Sequence, residues 1–214
     1  MDKHTHNKYL IVSIFSAICL ILVAFTFWKQ DVRYSLPTPK PPRLQQKSLG
    51  AVVNFSELQS VQKPMLLHFF NPECPCSKFN VEHLRELVTA YQDSVQFVAV
   101  IQTEDSADAV RSFKDLELPI PYIVDANGRI ADSCGIYSTP QALILDSSKK
   151  IYYRGNYNVS RYCTSPQTAF AHLALQALLQ HEPLPPLSTQ ATTAYGCELP
   201  SNQSTKSAFP LPKM

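Results

Sequence analysis

The sequence predicts an α/β fold, a three-layer α/β/α sandwich with a mixed central sheet, preceded by one transmembrane helix. Residues 65–70 and 95–101 are near-continuous apolar runs, which is typical of strands that are covered on both faces. Two further runs, 141–145 and 151–154, flank a polar turn and predict a β-hairpin. A βαβ unit followed by a hairpin and a closing helix gives a layered sheet of this kind.

Helices with one apolar face separate these strands. After the first strand, Leu84, Leu87 and Val88 recur at helical spacing. The last helix has Pro166 in its first turn, where a backbone N–H is not needed. In chain order, the predicted elements are strand 65–70, the helix that contains Leu84, Leu87 and Val88, strand 95–101, helix 105–115, strand 120–124, helix 129–136, hairpin strands 141–145 and 151–154, and helix 165–181.

The N-terminal region predicts a membrane anchor. Residues 9–28 form an uncharged, mostly apolar stretch that is long enough to span a bilayer as a helix. A cleaved signal peptide is the alternative, but small residues would then end the segment, which instead ends in two phenylalanines and Trp28. The predicted organisation is an N-terminal tail (1–8), the anchor (9–28), a Pro-rich linker (29–51), the folded domain (52–182) and a Pro/Ser/Thr-rich C-terminal tail (183–214).

Two observations predict opposite orientations for this anchor. More lysines and arginines follow the span than precede it, which favours a cytoplasmic body. Most of the cysteines, however, lie beyond the span, and so many cysteines are typical of proteins in oxidising compartments, which favours a body outside the cytoplasm. We give the cysteines more weight and predict a single-pass protein of the inner (cytoplasmic) membrane with its body in the periplasm.

Charge and composition exclude two classes of ligand. The net charge is +2 and no basic patch with interleaved aromatic residues occurs, so no nucleic-acid partner is predicted. The chain has five glycines and no phosphate-binding glycine loop, so no nucleotide is predicted.

Two cysteines separated by one proline predict the functional site. Cys74-Pro75-Cys76 follows strand 65–70 and opens the next helix. Unpaired N–H groups at a helix start favour the thiolate, which is the species that attacks disulfides or binds soft metals. Pro75 stiffens this turn. The pattern therefore predicts a redox site or a metal site.

Several motifs around this site carry a family resemblance. Phe69 to Cys74, Pro121 to Asp125 and Cys134 to Pro140 resemble the thioredoxin fold, in its redoxin branch of membrane-anchored periplasmic thiol proteins, over residues 52–181. The whole chain is also similar to membrane-anchored thioredoxin-like proteins of a bacterial family without assigned function. The motifs that carry this second resemblance are Cys-Pro-Cys-Ser, Gly155–Asn158 with Arg161–Cys163, and Gly196-Cys197.

The resemblance implies how substrate is held. It implies that Pro140 is in the cis form and faces the reactive cysteine, and that Thr139 offers its backbone to a bound peptide. Pro75, Thr139 and Pro140 are therefore the predicted substrate-binding residues. The chain departs from the family in having C-x-C instead of C-x-x-C, and it lacks the Thr or Ser that precedes a peroxidatic cysteine by three positions.

The cysteines admit more than one pairing. Cys74 is the predicted nucleophile, and Cys76 or Cys163 is predicted to resolve the mixed disulfide. A Cys74–Cys76 disulfide would close a very small ring, and the strain would make this bond easy to reduce. Alternatively, these two cysteines never pair with each other, and a more distant cysteine resolves the mixed disulfide. Either Cys163 or Cys134 could pair with the Cys-Pro-Cys thiols. The other possibility is a fixed structural disulfide, with Cys163–Cys197 as the first candidate.

His68 is a further candidate because it lies six residues before Cys74 on the same strand. The resemblance places it where a buried acid moves a proton for the active-site thiols, and a histidine could do this near neutral pH. The alternative is a core histidine with one satisfied hydrogen bond.

The predicted function is thiol–disulfide exchange with protein thiols and disulfides outside the cytoplasm, without a dissociable cofactor. One alternative is a copper-delivery protein that binds Cu(I) through Cys74, Cys76 and His68. The other is a redox-inactive, thioredoxin-like interaction module.

Overall fold

The computed structural model describes most of the chain in two compact units. The units are Met1–Leu36 and Pro37–Met214. The described residues are 3–42, 44–55, 62–103, 106–160 and 165–201.

The first unit is helical. It contains α1 (Lys3–Phe27), a π-helical turn (Trp28–Val32) and α2 (Arg33–Ser35). Within α1, Asn7–Phe27 is long and apolar enough to cross a membrane, and its large hydrophobic side chains are exposed. The predicted apolar N-terminal helix is therefore present, in a form that membrane anchors and signal sequences share.

The second unit is built on a five-stranded mixed sheet with the strand order β3-β2-β1-β5-β6. β1 is central and pairs in parallel with β2 and antiparallel with β5, while β3 and β6 form the edges. A separate two-stranded sheet pairs β4 with β7. The strands are β1 (Met65–Phe70), β2 (Gln96–Ile101), β3 (Tyr122–Val124), β4 (Ser138–Thr139), β5 (Gln141–Leu145), β6 (Ile151–Gly155) and β7 (Cys197–Glu198).

Helices cover both faces of the five-stranded sheet. Leu66 and Phe70 of β1 pack in one apolar cluster with residues of three helices, α4, α5 and α7, whereas Leu67 and Phe69 pack with α6 in a second cluster on the opposite face. Because both faces of β1 are buried, every residue of its sequence except His68 is apolar. These layers confirm the predicted sandwich. The helices are α3 (Pro75–Phe79), α4 (Val81–Tyr91), α5 (Ser106–Lys114), α6 (Arg129–Cys134) and α7 (Phe170–Leu179).

The helix predicted over 165–181 is wrong at its beginning. The structure has a 3₁₀ turn at Pro166–Thr168 and starts α7 only at Phe170. Ala169 separates the two with a non-helical ψ of 66°. Thr168 is held in the turn because its hydroxyl donates to Asn158 Oδ1 at 2.7 Å.

Segments that the sequence assigns to the linker and the tail contribute to the second unit. The Thr38 N–H donates to the Ala194 carbonyl at 2.8 Å, and the Gly50 N–H donates to Ile151 at 2.7 Å. Thr38, from the predicted linker, and Ala194, from the predicted tail, are both buried. Extended segments lack a helical or strand period, so burial of single residues in them leaves no periodic signal in the sequence.

The buried carboxylate of Asp125 connects β3 to α6. It accepts hydrogen bonds from the Ile130 and Ala131 N–H groups at 3.0 and 2.9 Å, and from Gln102 Nε2 at 2.8 Å. Asp125 thereby satisfies N–H groups at the start of α6 that have no partner within the helix.

Replacing Asp125 by alanine is expected to lower the free energy of unfolding by roughly 3 kcal/mol, because it leaves these buried donors unsatisfied. Urea unfolding followed by the near-ultraviolet circular dichroism of the tyrosines measures the change. Asp93→Ala, in the exposed turn after α4, is the control and is expected to stay within about 0.5 kcal/mol of wild type. Equal losses in both variants would contradict the assigned role.

Candidate active site

A disulfide joins the start of α3 to the C-terminal segment. Cys74 and Cys197 are 123 residues apart in sequence, and their Cα atoms lie 5.9 Å apart. Of the two alternatives for the motif, the structure has the one in which Cys74 bonds to a distant cysteine and not to Cys76. The candidate structural disulfide Cys163–Cys197 is wrong, because the sulfur of Cys197 is bound to Cys74.

The turn between β1 and α3 fixes the position of Cys74. The Glu73 N–H donates to Asn71 Oδ1 at 2.9 Å, and the Cys74 N–H donates to the Asn71 carbonyl at 3.1 Å. An Asn side chain that binds the backbone two residues further on is a common turn-former. Pro75 then begins α3, and the Ser77 N–H donates to the Cys74 carbonyl at 3.1 Å.

The peptide bond between Thr139 and Pro140 lies beside this sulfur and is cis. Cys74 Sγ is 3.4 Å from the Thr139 carbonyl oxygen. Since a disulfide sulfur carries no hydrogen, this is a contact in the oxidised protein, and only the reduced thiol could donate there. The cis form that the resemblance implies for Pro140 is confirmed. The roles of Pro75, Thr139 and Pro140 in holding substrate stay predictions.

The C-terminal segment lies along the strand that precedes this cis bond. β7 pairs antiparallel with β4, with Cys197 opposite Thr139 and Glu198 opposite Ser138. The Ser138 hydroxyl donates to the Tyr195 carbonyl at 3.2 Å. Cys197 is therefore placed against Cys74 by backbone pairing as well as by the covalent bond.

Sequence reasoning did not include Cys197 among the catalytic candidates. The available signal was the odd number of cysteines beyond the apolar helix, which leaves at least one without a fixed partner. A two-residue strand is too short to show a period, so its pairing with β4 could not be predicted.

The other cysteine candidates lie in different surroundings. Cys76, the second residue of α3, is fully buried, and its sulfur is outside the disulfide. Cys134 ends α6 in the second apolar cluster, and burial raises the pKa of its thiol far above the ordinary range. The predicted resolving residue Cys163, with its neighbours Arg161 and Tyr162, lies outside the described residues.

His68 is fully buried on β1. Its Nδ1 lies 2.7 Å from the Tyr157 hydroxyl, and its ring packs against Phe70. Burial lowers the pKa of His68 to about 3. The ring is therefore neutral near neutral pH, and protonating it there carries a large energetic cost. The proton-transfer role stays a prediction.

Metal binding also stays a prediction. Among the residues that the structure describes, no group of three or more His, Cys, Asp or Glu side chains is placed to hold a metal ion. Cys74, one of the predicted copper ligands, is in a disulfide and so offers no thiolate in this oxidised form.

A family described as a domain of unknown function (DUF6436) matches residues 44–199, which is more than half of the chain. The chain belongs to this family. The matched DUF6436 range begins within the segment predicted as a linker and ends just after β7, so it contains both cysteines of the disulfide.

Relatives of this DUF6436 protein include named thiol–disulfide proteins. The thiol:disulfide interchange protein DsbE of Pasteurella multocida is 25% identical over 154 residues, which are 65% of this chain and 83% of that protein. The thiol-disulfide oxidoreductase ResA of Bacillus thuringiensis is 25% identical over 91 residues, covering 42% of this chain and 52% of ResA.

A solved structure shares the fold. The crystal structure of an uncharacterized conserved protein from Geobacillus kaustophilus has a TM-score of 0.58 and 26% identity, covering 78% of this chain and 92% of that one. The five-stranded mixed sheet between two layers of helices is a thioredoxin-like α/β fold, and this solved structure shares it.

Proposed function

We propose that this chain is a membrane-tethered thiol–disulfide oxidoreductase that acts on protein thiols and disulfides outside the cytoplasm. The observation that carries the proposal is the disulfide between Cys74, at the start of α3, and Cys197, opposite Thr139. The similarity to DsbE and ResA supports the same chemistry.

The exchange proceeds through a mixed disulfide at Cys74. In the direction of client reduction, the Cys74 thiolate attacks one sulfur of a client disulfide and the other client sulfur leaves as a thiolate that takes up a proton. The Cys197 thiolate then attacks Cys74 Sγ and expels the client as its second thiol. The client gains two electrons, and the enzyme is left with the Cys74–Cys197 disulfide.

Client oxidation is the reverse sequence. Cys74 is buried in the oxidised form, so in this direction β7 first separates from β4; a client thiolate then attacks Cys74 Sγ and releases Cys197 as the leaving thiolate. A second client thiolate then attacks the client sulfur of the mixed disulfide and releases Cys74, so the client loses two electrons and the enzyme gains them. A dithiol donor or a disulfide acceptor regenerates the starting form in each case.

The proposed location rests on the N-terminal helix and on the cysteines. Asn7–Phe27 has the length and composition of a single membrane span. A disulfide persists in an oxidising compartment and is reduced in most cytosols, which favours a body on the outer side of the membrane.

Replacing Cys197 by serine is expected to trap the mixed disulfide. The full-length protein in detergent is reduced, freed of reductant and mixed with a disulfide-linked peptide pair. Because the hydroxyl of the introduced serine cannot expel the client, the adduct at Cys74 should accumulate to nearly one per chain, whereas in wild type it is transient. Non-reducing mass spectrometry of the intact chain measures the adduct.

Cys76→Ser is the matched comparison, because the sequence predicts Cys76 or Cys163 as the resolving cysteine and Cys76 belongs to the motif itself. If Cys76 resolves instead, the adduct accumulates in Cys76→Ser and not in Cys197→Ser. No adduct in any variant, with no peptide reduced by wild type, would refute the proposed exchange.

A further inference from the structure

We propose that the C-terminal segment Tyr195–Leu199 is an internal substrate of the site, and that client segments taking its place carry a glycine directly before their reactive cysteine. This inference rests on the proposed exchange at Cys74 and specifies its substrate class.

The segment is bound in the way that an extended peptide would be. β7 runs antiparallel to β4, with Cys197 opposite Thr139 and its sulfur bonded to Cys74. A mixed disulfide between Cys74 and a client would have the same covalent connection. The bound segment therefore shows which backbone path and which neighbours a client cysteine meets at this site.

The residue before the cysteine is restricted to glycine. Gly196 has a φ of +123°, a conformation that L side chains rarely adopt. A Cβ atom at Gly196 would also collide with the carbonyl group of Thr139. The obstruction is backbone on the β4 side, so a client that follows the same path meets it whatever its own sequence.

The position two residues after the cysteine is apolar in the internal substrate. Leu199 is fully buried and packs in the second apolar cluster with residues of the sheet and of α6. A client with a large apolar residue there would replace this burial. The pattern Gly-Cys-x-Leu thus summarises what the site accepts.

The part of the chain before this segment is fixed to the body by separate contacts. The Asn156 N–H donates to the Ala191 carbonyl at 2.8 Å, and Asn156 Nδ2 donates to the Gln190 and Thr193 carbonyls at 2.7 Å. Residues 190–193 can lie this close to β6 because residue 155 is a glycine, where a Cβ atom would collide with the Ala191 carbonyl. Once the disulfide is reduced, residues 196–199 can leave β4 while residues 190–193 stay in place.

This arrangement keeps Cys197 near the site while a client is bound. A thiol on a short tether has an effective concentration in the millimolar range or above, so it returns rapidly to resolve the mixed disulfide. The internal substrate and the client then compete for one place, and the competition decides when the client is released.

Two peptides test the specificity. Tyr-Gly-Cys-Glu-Leu and Tyr-Val-Cys-Glu-Leu are each prepared as a mixed disulfide with a coloured aromatic thiol. They are added to the reduced full-length Cys197→Ser protein, and release of the aromatic thiol reports attack by Cys74. The glycine peptide is expected to react about tenfold faster or more, and equal rates with the urea-unfolded protein control for intrinsic reactivity.

A second variant tests displacement of the internal substrate. Adding Gly196→Val to Cys197→Ser should prevent the chain's own segment from binding β4, so the glycine peptide is expected to react several-fold faster than with Cys197→Ser alone. Near-ultraviolet circular dichroism confirms that the body is folded. Equal rates for the two peptides, or no acceleration by Gly196→Val, would overturn this inference alone. No reaction of either peptide above the rate of Cys74→Ser would overturn the proposed exchange and this inference with it.

Discussion

Replacing Cys74 by serine is expected to lower the rate of thiol–disulfide exchange by about a thousandfold or more, because serine cannot form the mixed disulfide. The side chain is nearly isosteric, and the turn from Asn71 to Ser77 is held by hydrogen bonds of its backbone and of the Asn71 side chain. The substitution removes the disulfide, but wild type is also assayed in its reduced form, so the two proteins are compared without that bond. The measurement is the rate at which the reduced full-length protein cleaves a fluorescent disulfide-linked peptide.

Cys19→Ser is the matched control for that loss. It makes the same substitution in α1, where Cys19 is exposed and its thiol is free. Its exchange rate is expected to stay within about twofold of wild type. If Cys74→Ser retains the wild-type rate, another sulfur carries the exchange, and Cys134→Ala and Cys163→Ser would then identify it.

Acidification is expected to destabilise the fold through His68. The pKa of this buried imidazole is about 3 in the folded protein, below its ordinary value of 6.5. Above that ordinary value the ring is neutral in both states, and its contribution to stability is complete. As the pH falls from about 6.5 toward 3, the unfolded chain binds a proton that the folded chain does not, so stability is lost.

The expected size of the effect is about 1.4 kcal/mol per pH unit within this window. Between about pH 7.5 and about pH 5, wild type should therefore lose about 2 kcal/mol more than His68→Gln. Urea unfolding of wild type and His68→Gln at both pH values measures how the free energy of unfolding of each protein depends on pH. His83, whose ring packs against Tyr157, contributes in the same direction because burial also lowers its pKa. Since His83 is present in both proteins, its contribution to the pH dependence cancels when wild type is compared with His68→Gln.

The exposed His181 provides the control for this experiment. His181→Gln should leave the free energy of unfolding at about pH 7.5 within about 0.5 kcal/mol of wild type. An equal pH dependence in wild type and His68→Gln would show that the folded protein accepts the proton on His68, for example by opening the contact with Tyr157.

The parts of the fold that the sequence could predict are those with a strong local pattern. The apolar runs of β1 and β2 are covered on both faces, and this burial is what makes nearly every residue in them apolar. The position of Cys74 was predictable because Pro75 marks a helix start directly after a strand. The cis bond at Pro140 came from resemblance and not from a local pattern.

The rest depended on contacts between distant parts of the chain. Cys197 lies in a segment without periodicity, and its place is decided by backbone pairing with Thr139 and by the contacts of Asn156 with residues 190–193. The close approaches at Gly155 and Gly196 likewise depend on backbone from elsewhere in the chain. These contacts are made by backbone atoms, an asparagine side chain and glycines, so they leave no hydrophobic pattern in the sequence from which they could be predicted.

The disulfide closes the 123-residue span between its ends into one covalent ring, which contains β2, β3, β5 and β6 of the five-stranded sheet but not the central strand β1. Closing a ring of that length removes conformational freedom from the unfolded chain and is worth about 5 kcal/mol to the native state. Heat resistance and sulfur chemistry are thereby linked in both directions. Reducing the disulfide lowers the stability of the fold, and destabilising the fold makes the disulfide easier to reduce.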